Sequence, residues 1–135
     1  MMIVDAEGAI LGRLSSRVAK MLLRGEDIEI INAEKAVVSG NSKAVIERFS
    51  ARRERGTPLK GPFYPKYPDR ILRRAIRGML PYKKDRGRKA FKRLKIYMGN
   101  PKNLNGERIS KTADELKIKY TTLEDISKAL GAKLG

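Results

Sequence analysis

Two chemically versatile residue types are missing from this chain of 135 residues, which contains neither cysteine nor histidine. Without cysteine there can be no disulfide, no thiolate nucleophile and no zinc site of the cysteine type. Without histidine the chain lacks the usual general base near neutral pH and the commonest metal ligand. A Ser-His-Asp triad and a histidine-based metallohydrolase site are therefore excluded. The sequence predicts no enzymatic activity, no cofactor, no metal and no small-molecule substrate.

Long apolar runs and tryptophan are absent as well. No stretch approaches the roughly 18 apolar residues of a membrane-spanning helix. The first seven residues lack the basic and apolar regions of a signal peptide. A peripheral membrane protein would need an apolar insertion face, whereas the apolar faces of this chain are better assigned to a core. We therefore expect a cytoplasmic protein without membrane contact.

The hydrophobic content of 41% is enough for one modest core, so we expect a single domain over residues 1–135. Apolar periodicity and turn residues predict an alternation of strands and helices in the first part of the chain. This order favours an α/β sandwich with a mostly parallel sheet. The predicted elements are strands at 3–6, 28–31 and 36–38 and helices from Ile10 to Leu23 and from about Lys43 to Arg53, the second helix capped within 39–42.

The later part of the chain is predicted less completely, and residues 102–120 receive no assignment. A helix from Asp69 to Leu80 is expected to be capped by Asp69 and stopped by Pro81. The remaining predictions are a basic loop at 83–89 leading into a short helix through Arg93, a last strand from Leu94 to Met98, and a capping box at 121–124 before a helix to about Leu130.

Positive charge is concentrated in one part of the sequence. Lys and Arg number 31 against 15 acids, for a net charge of +16, and residues 43–95 alone hold 19 bases and 4 acids. A solvated surface normally mixes both signs, and a block of like charge repels itself unless a partner neutralises it. The distribution therefore predicts a polyanionic partner such as a nucleic acid.

Two predicted helices have a cationic face opposite an apolar face. In the first helix, Arg13, Arg17, Lys20 and Arg24 gather opposite the apolar residues, with no acid among them. In the helix from Asp69, the arginines follow the i, i+3, i+4, i+7 spacing, and arginine suits bidentate contact with phosphate. The arginines of that helix are Arg70, Arg73, Arg74 and Arg77, and its predicted apolar face is Ile71, Leu72, Ala75, Ile76, Met79 and Leu80.

Residues 56–68 contain four of the six prolines and predict an extended surface excursion. The aromatic residues Phe63, Tyr64 and Tyr67 lie among its lysines. They could stack on unpaired bases, but anchoring of the excursion to the domain is favoured because RNA modules that read by stacking use a β-sheet platform.

Other functional readings fit the sequence less well. The glycine turn at 8–13 has neither the Rossmann nor the Walker spacing, so a nucleotide role is disfavoured. The acid pairs Glu26–Asp27 and Glu124–Asp125 lie near helix ends, where capping acids are common. The acids of the basic segment show no ligand spacing for a two-metal nucleic-acid enzyme. A DNA-binding regulator would need a helix-turn-helix or a dimer zipper, and neither pattern is present.

Several motifs in fixed order resemble the universal large-subunit ribosomal protein family thirteen. They are Val4-Asp5-Ala6, then 11–16 (LGRLSS), 31–40 (INAEKAVVSG), 61–65 (GPFYP), 68–72 (PDRIL), 77–81 (RGMLP) and 87–94 (GRKAFKRL), the later ones in the archaeal and eukaryotic form. The resemblance covers residues 3 to about 100. It implies a three-layer α/β/α sandwich with a four-stranded, mostly parallel sheet.

The resemblance also implies the partners. They are large-subunit ribosomal RNA and neighbouring large-subunit ribosomal proteins, in a ribonucleoprotein of the translation machinery, with a structural role early in subunit assembly. The basic positions that match the family are Arg52, Arg53, Arg55, Lys60, Arg70, Arg73, Arg74, Arg77, Lys83, Lys84, Arg86, Arg88 and Lys92, and the same basic segment adds Lys66, Lys89 and Arg93 as expected RNA contacts.

Overall fold

The computed structural model describes residues 2–54 and 65–133, and it describes their side chains except at 52–54. None of the helices in these ranges is long and apolar enough to cross a membrane. A one-turn 3-10 helix lies at Ala33–Lys35. The strands are β1 (Met2–Asp5), β2 (Ile28–Ile31), β3 (Val37–Ser39), β4 (Leu94–Ile96) and β5 (Tyr120–Thr122), and the helices are α1 (Leu11–Leu23), α2 (Ser42–Glu54), α3 (Pro68–Gly78), α4 (Asp85–Lys92), α5 (Ala113–Leu116) and α6 (Leu123–Ala129).

A parallel sheet has β2 at its centre, with β1 on one side and β4 on the other. Val4, Ile30 and Ile96 occupy equivalent register positions, so their side chains share one face of the sheet. Val4 and Ile30 are fully buried and join a hydrophobic core to which α1, α3, α4 and α6 also contribute. The predicted α/β class with a parallel sheet is confirmed.

The four strands that the resemblance implies are not found in one sheet over 2–54 and 65–133. The predicted third strand does form, but its hydrogen bonds go to β5 in a separate antiparallel pair. A single-residue bridge between Ile10 and Val37 links this pair to the turn before α1. Beside β1 the sheet is extended by another single bridge, from Val4 to Glu107. The four-stranded, three-layer sandwich is therefore not confirmed.

The other face of the parallel sheet carries a buried carboxylate. Glu29 is only 6% exposed, and its Oε1 accepts a hydrogen bond of 3.3 Å from the Tyr97 hydroxyl. Lys102 Nζ donates to that hydroxyl at 3.0 Å and lies 3.6 Å from the Glu29 carboxylate. The hydrogen bond to Tyr97 and the charge of Glu29 raise the pKa of Lys102 above its ordinary value. The buried Glu29 side chain is therefore provided with a hydrogen-bond donor and a nearby cation.

Helix α1 agrees with its prediction to within one residue. Leu14, Val18 and Leu22 are fully buried and form the apolar face that the periodicity predicts. The helix ends before Gly25, whose φ of +98° favours a residue without a Cβ atom. For α2, the Asn41 side chain accepts a hydrogen bond of 2.9 Å from the Ala44 N–H, so the predicted cap is confirmed.

Helix α3 begins one residue earlier and ends two residues earlier than predicted. Pro68 occupies the first turn, where its missing N–H has no cost, and Asp69 lies inside that turn, so the prediction that Asp69 caps the helix is wrong. Its charge still favours the positive end of the helix dipole. Met79, predicted on the apolar face, follows the last turn and is 45% exposed.

The basic stretch predicted as a loop is mostly helical, since α4 begins at Asp85 with that acid in its first turn. Strand β4 ends at Ile96, two residues before the predicted end. It is not the last strand, because β5 forms later in the chain. The predicted cap of α6 is confirmed, as the Thr122 hydroxyl accepts a hydrogen bond of 3.2 Å from the Asp125 N–H.

Candidate nucleic-acid interface

The arginines of α3 lie opposite three fully buried apolar side chains of the same helix. Ile71, Leu72 and Ile76 are 0% exposed and fix the helix against the core. Burying three such side chains contributes about 1.5–3 kcal/mol each before entropy is counted. Among the arginines, Arg70 and Arg77 are exposed and Arg73 and Arg74 are half-buried. The predicted separation of an apolar and a cationic face is confirmed except at Met79, since Leu80 is also buried in the core.

Two of these arginines stack on aromatic rings from other elements. The Arg73 guanidinium lies 4.3 Å from the centre of the Phe91 ring, and the Arg77 guanidinium lies 4.1 Å from that of Tyr82. The two rings contact each other edge to face, with centres 5.7 Å apart. Arg73 also donates to the Leu94 carbonyl at 3.4 Å. These contacts hold two positive charges in fixed positions beside the domain.

Two adjoining clefts open along α3, with volumes of about 550 and 240 Å³. Both include Arg74 and Arg77 in their walls. The larger cleft continues to the loop after α3, and the smaller one reaches Pro65 and Phe91. Among the residues described, no acidic side chain lines either cleft. Their cations are Arg70, Arg73, Arg74, Arg77, Lys83 and Lys84.

A close backbone contact fixes the loop between α3 and α4. A Cβ atom added at Gly87 would lie 2.0 Å from the Pro81 carbonyl oxygen, far inside van der Waals contact. The Lys84 N–H donates to the same oxygen at 3.0 Å. Lys83 and Lys84, both exposed, are therefore presented by a tight turn rather than by a long loop.

The other predicted RNA contacts on α4 and before α3 have different surroundings. Arg86, Lys89 and Lys92 are exposed on α4. Arg88 is also exposed, but it pairs with Asp85 and donates to the Lys83 carbonyl at 3.1 Å. Lys66 is half-buried, with its Nζ 5.8 Å from the centre of the Tyr67 ring. None of these five cations lines the two clefts.

Arg93 has a packing role that the sequence did not predict. Its guanidinium is half-buried and donates to the Leu22 carbonyl at 2.7 Å, so it joins the end of α4 to the end of α1. It lines a third cleft of about 280 Å³ with Asp27, Glu29, Lys92 and Lys95. The acids in this cleft make it less suited to an anion than the two clefts along α3.

Several predicted contacts cannot be placed in this geometry. Arg52 and Arg53 belong to α2, and their side chains lie outside the described residues. Arg55, Lys60, Phe63 and Tyr64 also lie outside the described residues.

The acids in the part of the chain that is described are the remaining candidates for a metal cluster. Residues 2–54 and 65–133 contain no group of three acidic side chains that could hold a metal ion. In the acid pair at 124–125, Glu124 lies 3.0 Å from Lys128 and the Asp125 N–H is capped by Thr122. This pair stabilises a helix and its first turn.

Sequence comparisons place the chain in a known family. The family model for ribosomal protein L13 matches residues 1–103. Large ribosomal subunit protein uL13 of Methanocaldococcus jannaschii is 54% identical over 138 residues, covering 98% of this chain and 99% of the relative. The chain belongs to the ribosomal protein L13 family. Proteins with the same name from Archaeoglobus fulgidus and Haloarcula marismortui are 48% and 47% identical, covering 96% of this chain and 86% and 90% of theirs.

Membership of the L13 family confirms the resemblance seen in the sequence, including its archaeal form. Because the family consists of ribosomal proteins, the chain is a structural component rather than an enzyme. The relatives extend the match beyond residue 103, the last residue of the family model. They therefore cover α5, β5 and α6, for which the sequence motifs are less diagnostic.

Proposed function

We propose that the chain is a constituent of the large ribosomal subunit and binds large-subunit ribosomal RNA through the two clefts along α3. The observation that carries this proposal is the wall of the clefts, which holds six cations and, among the described residues, no acid. RNA supplies a dense row of phosphates to such a wall, and arginine can hold a phosphate with two parallel hydrogen bonds. The relatives are named as proteins of the large ribosomal subunit, which supports this RNA as the partner.

Phosphates are a better fit to the clefts than unpaired bases. A base that stacks on a protein needs a free aromatic face. Arg77 covers one face of Tyr82 and Arg73 covers one face of Phe91, while the rings pack edge to face on each other. We infer that the arginines, already held by the rings, present their remaining N–H groups to the RNA backbone.

The remaining parts of the proposal concern the assembled particle. We infer that the chain works as a single domain in cytoplasmic ribosomes, supports subunit assembly at an early stage, and lies beside other large-subunit proteins. One core cluster that includes residues from Val4 to Ile126 supports the single domain. An early role is supported by the amount of charge, since a net +16 neutralises many phosphates that otherwise repel each other.

The proposal is tested by titrating the purified protein against deproteinised archaeal large-subunit ribosomal RNA. The variant R70Q/K83Q/K84Q removes three exposed cleft cations and keeps the stacked arginines in place. We expect its affinity at 0.1 M salt to fall at least about eightfold. This is the loss expected when a single phosphate contact, with its slope of about −0.9, is removed. Melting curves measured on the same samples check that the variant is folded.

The matched control is K111Q/K119Q/K133Q, which removes the same number of charges from exposed positions outside the clefts. A general effect of net charge would weaken both variants equally. Equal affinities for the two variants would overturn the assignment of the clefts. Failure of the wild-type protein to prefer this RNA over small-subunit ribosomal RNA would overturn the proposed partner.

A further inference from the structure

A second cationic surface lies on α1, outside the basic segment 43–95. Arg13, Lys20 and Arg24 are exposed and follow one side of the helix, opposite the fully buried Leu14 and Leu22. We call these three residues the α1 ridge. At 1.5 Å per residue they extend over roughly 16 Å. None of them lines either cleft along α3.

Helix α1 itself carries no acidic residue to balance the α1 ridge, and the exposed acids Glu26 and Asp27 follow only after its end. The sequence from 8 to 25 contains no Asp or Glu. Over the described ranges no ion pair involves Arg13, Lys20 or Arg24. On two other helices cations are paired within the helix, Arg88 with Asp85 on α4 and Lys128 with Glu124 on α6. Lys20 and Arg24 are four residues apart, a spacing at which like charges on a helix repel each other. The ridge is therefore a surface that an anionic partner would stabilise.

The helix dipole explains only part of this pattern. Lys20 and Arg24 lie near the end of α1, where the negative end of the dipole favours cations. Arg13 lies in the first turn, where the dipole disfavours a positive charge and no acid is present. A purely structural origin of the ridge therefore leaves Arg13 unexplained.

The surroundings of the ridge favour a nucleic acid over a protein as its partner. Protein interfaces are usually centred on apolar or aromatic anchors and contain few lysines. The exposed residues of α1 are Gly12, Arg13, Arg17 and Lys20, so the helix offers no exposed apolar anchor. An extended row of cations without such an anchor matches a chain of phosphates.

We propose that the α1 ridge is a second RNA-binding surface that contacts the phosphodiester backbone of the same ribosomal RNA at a place separate from the clefts. This proposal rests on the proposed function, because it takes large-subunit ribosomal RNA as the partner. The Arg17 guanidinium is not included, since it donates to the Ile109 carbonyl and so ties α1 to the segment before α5.

The test uses the full chain with the substitutions R13Q/K20Q/R24Q, which replace good helix formers by another good helix former. Deproteinised archaeal large-subunit RNA is titrated at several salt concentrations, next to the cleft variant and the control K111Q/K119Q/K133Q. We expect the ridge variant to bind at least about eightfold more weakly than the control at 0.1 M salt. The slope of log K against log salt should become shallower by nearly one unit for each phosphate that the variant no longer neutralises.

The outcomes separate this proposal from the proposed function. If the cleft variant binds more weakly than the control but the ridge variant equals the control, the clefts stand and the ridge proposal is overturned. If the ridge variant binds RNA like the control but enters reconstituted large subunits less well, the ridge contacts a protein and the proposal is also overturned. If the wild-type protein does not bind this RNA, the proposed function itself fails.

Discussion

Individual arginines of α3 have different surroundings although all of them follow the same helical spacing in the sequence. Arg70 is exposed and has no described partner in 2–54 or 65–133, whereas Arg73 stacks on Phe91 and reaches the Leu94 carbonyl. Periodicity predicted the side of the helix on which both arginines lie. It could not predict the stacking, because Phe91 is 18 residues away and meets Arg73 only through the packing of α4.

The stability of an Arg73→Gln variant shows whether the contacts of Arg73 stabilise the domain. From the sequence alone, removing one of four like charges should stabilise the helix by about 0.2–0.5 kcal/mol. The stack on Phe91 is worth about 0.5–1 kcal/mol, and the hydrogen bond to Leu94 adds a similar amount, so removing both should outweigh the relief of repulsion. We expect the melting temperature of the Arg73→Gln variant to fall by roughly 2–5 °C.

Arg70→Gln is the matched control, since it removes the same charge from the same helix without breaking a described contact. Its melting temperature should stay the same or rise slightly. Equal melting temperatures for the two variants would show that the stack on Phe91 does not stabilise the domain.

The helices could be predicted where their apolar periodicity and capping residues lie within the helix or next to it. Leu14, Val18 and Leu22 recur at helical spacing, and Gly25 and Thr122 mark an end and a beginning, so α1 and α6 were placed closely. The start of α4 was missed because glycine at residue 87 lowers helix propensity within a short, highly charged stretch. The reason for that glycine is a tertiary contact with Pro81, which no local pattern contains.

Two glycines within helices give opposite predictions for the same substitution. Gly87→Ala should destabilise the domain by about 1–3 kcal/mol, because its Cβ atom would overlap the Pro81 carbonyl and force the turn apart. Gly12→Ala in α1 meets no atom within 4 Å, so it should stabilise the domain by about 0.5–1 kcal/mol through helix propensity. Chemical denaturation of both variants measures the two changes.

The two glycine variants also test the geometry of the basic turn. If Gly87→Ala were as stable as the parent, the close approach of α4 to Pro81 would be wrong. The positions of Lys83 and Lys84 in the larger cleft would then be wrong as well, because the same turn presents both side chains.

The strands were less predictable than the helices, and the reason is their pairing. Each of β3 and β5 has three residues, and the antiparallel ladder between them joins positions more than 80 residues apart. Val37 and Val38 gave a strand signal, but alternation alone does not say which neighbour a strand will have. The partner, Tyr120–Thr122, was partly read as a helix cap, which Thr122 indeed provides.

Positive charge is distributed unevenly along the chain. Residues 43–95 carry most of the excess, while residues 1–42 hold nearly equal numbers of acids and bases. The near-zero net charge of residues 1–42 does not reveal the α1 ridge, because the acids of this segment lie before and after α1 rather than on it. Counting charge by segment therefore pointed to residues 43–95 but not to α1, whose cationic side was predicted only by helical spacing.

The overall charge leads to a prediction about salt. If the wild-type protein binds large-subunit ribosomal RNA as proposed, each phosphate that Lys or Arg neutralises releases counterions. Each such contact contributes about −0.9 to the slope of log K against log salt in duplex regions. The six cations of the clefts and the three of the α1 ridge make about six to ten contacts a reasonable number. Affinity should then fall about a thousandfold or more between 50 and 200 mM salt. Filter binding across this range measures the slope. A nearly flat plot would mean that hydrogen bonds to bases, rather than the cations of the clefts and the ridge, carry the affinity.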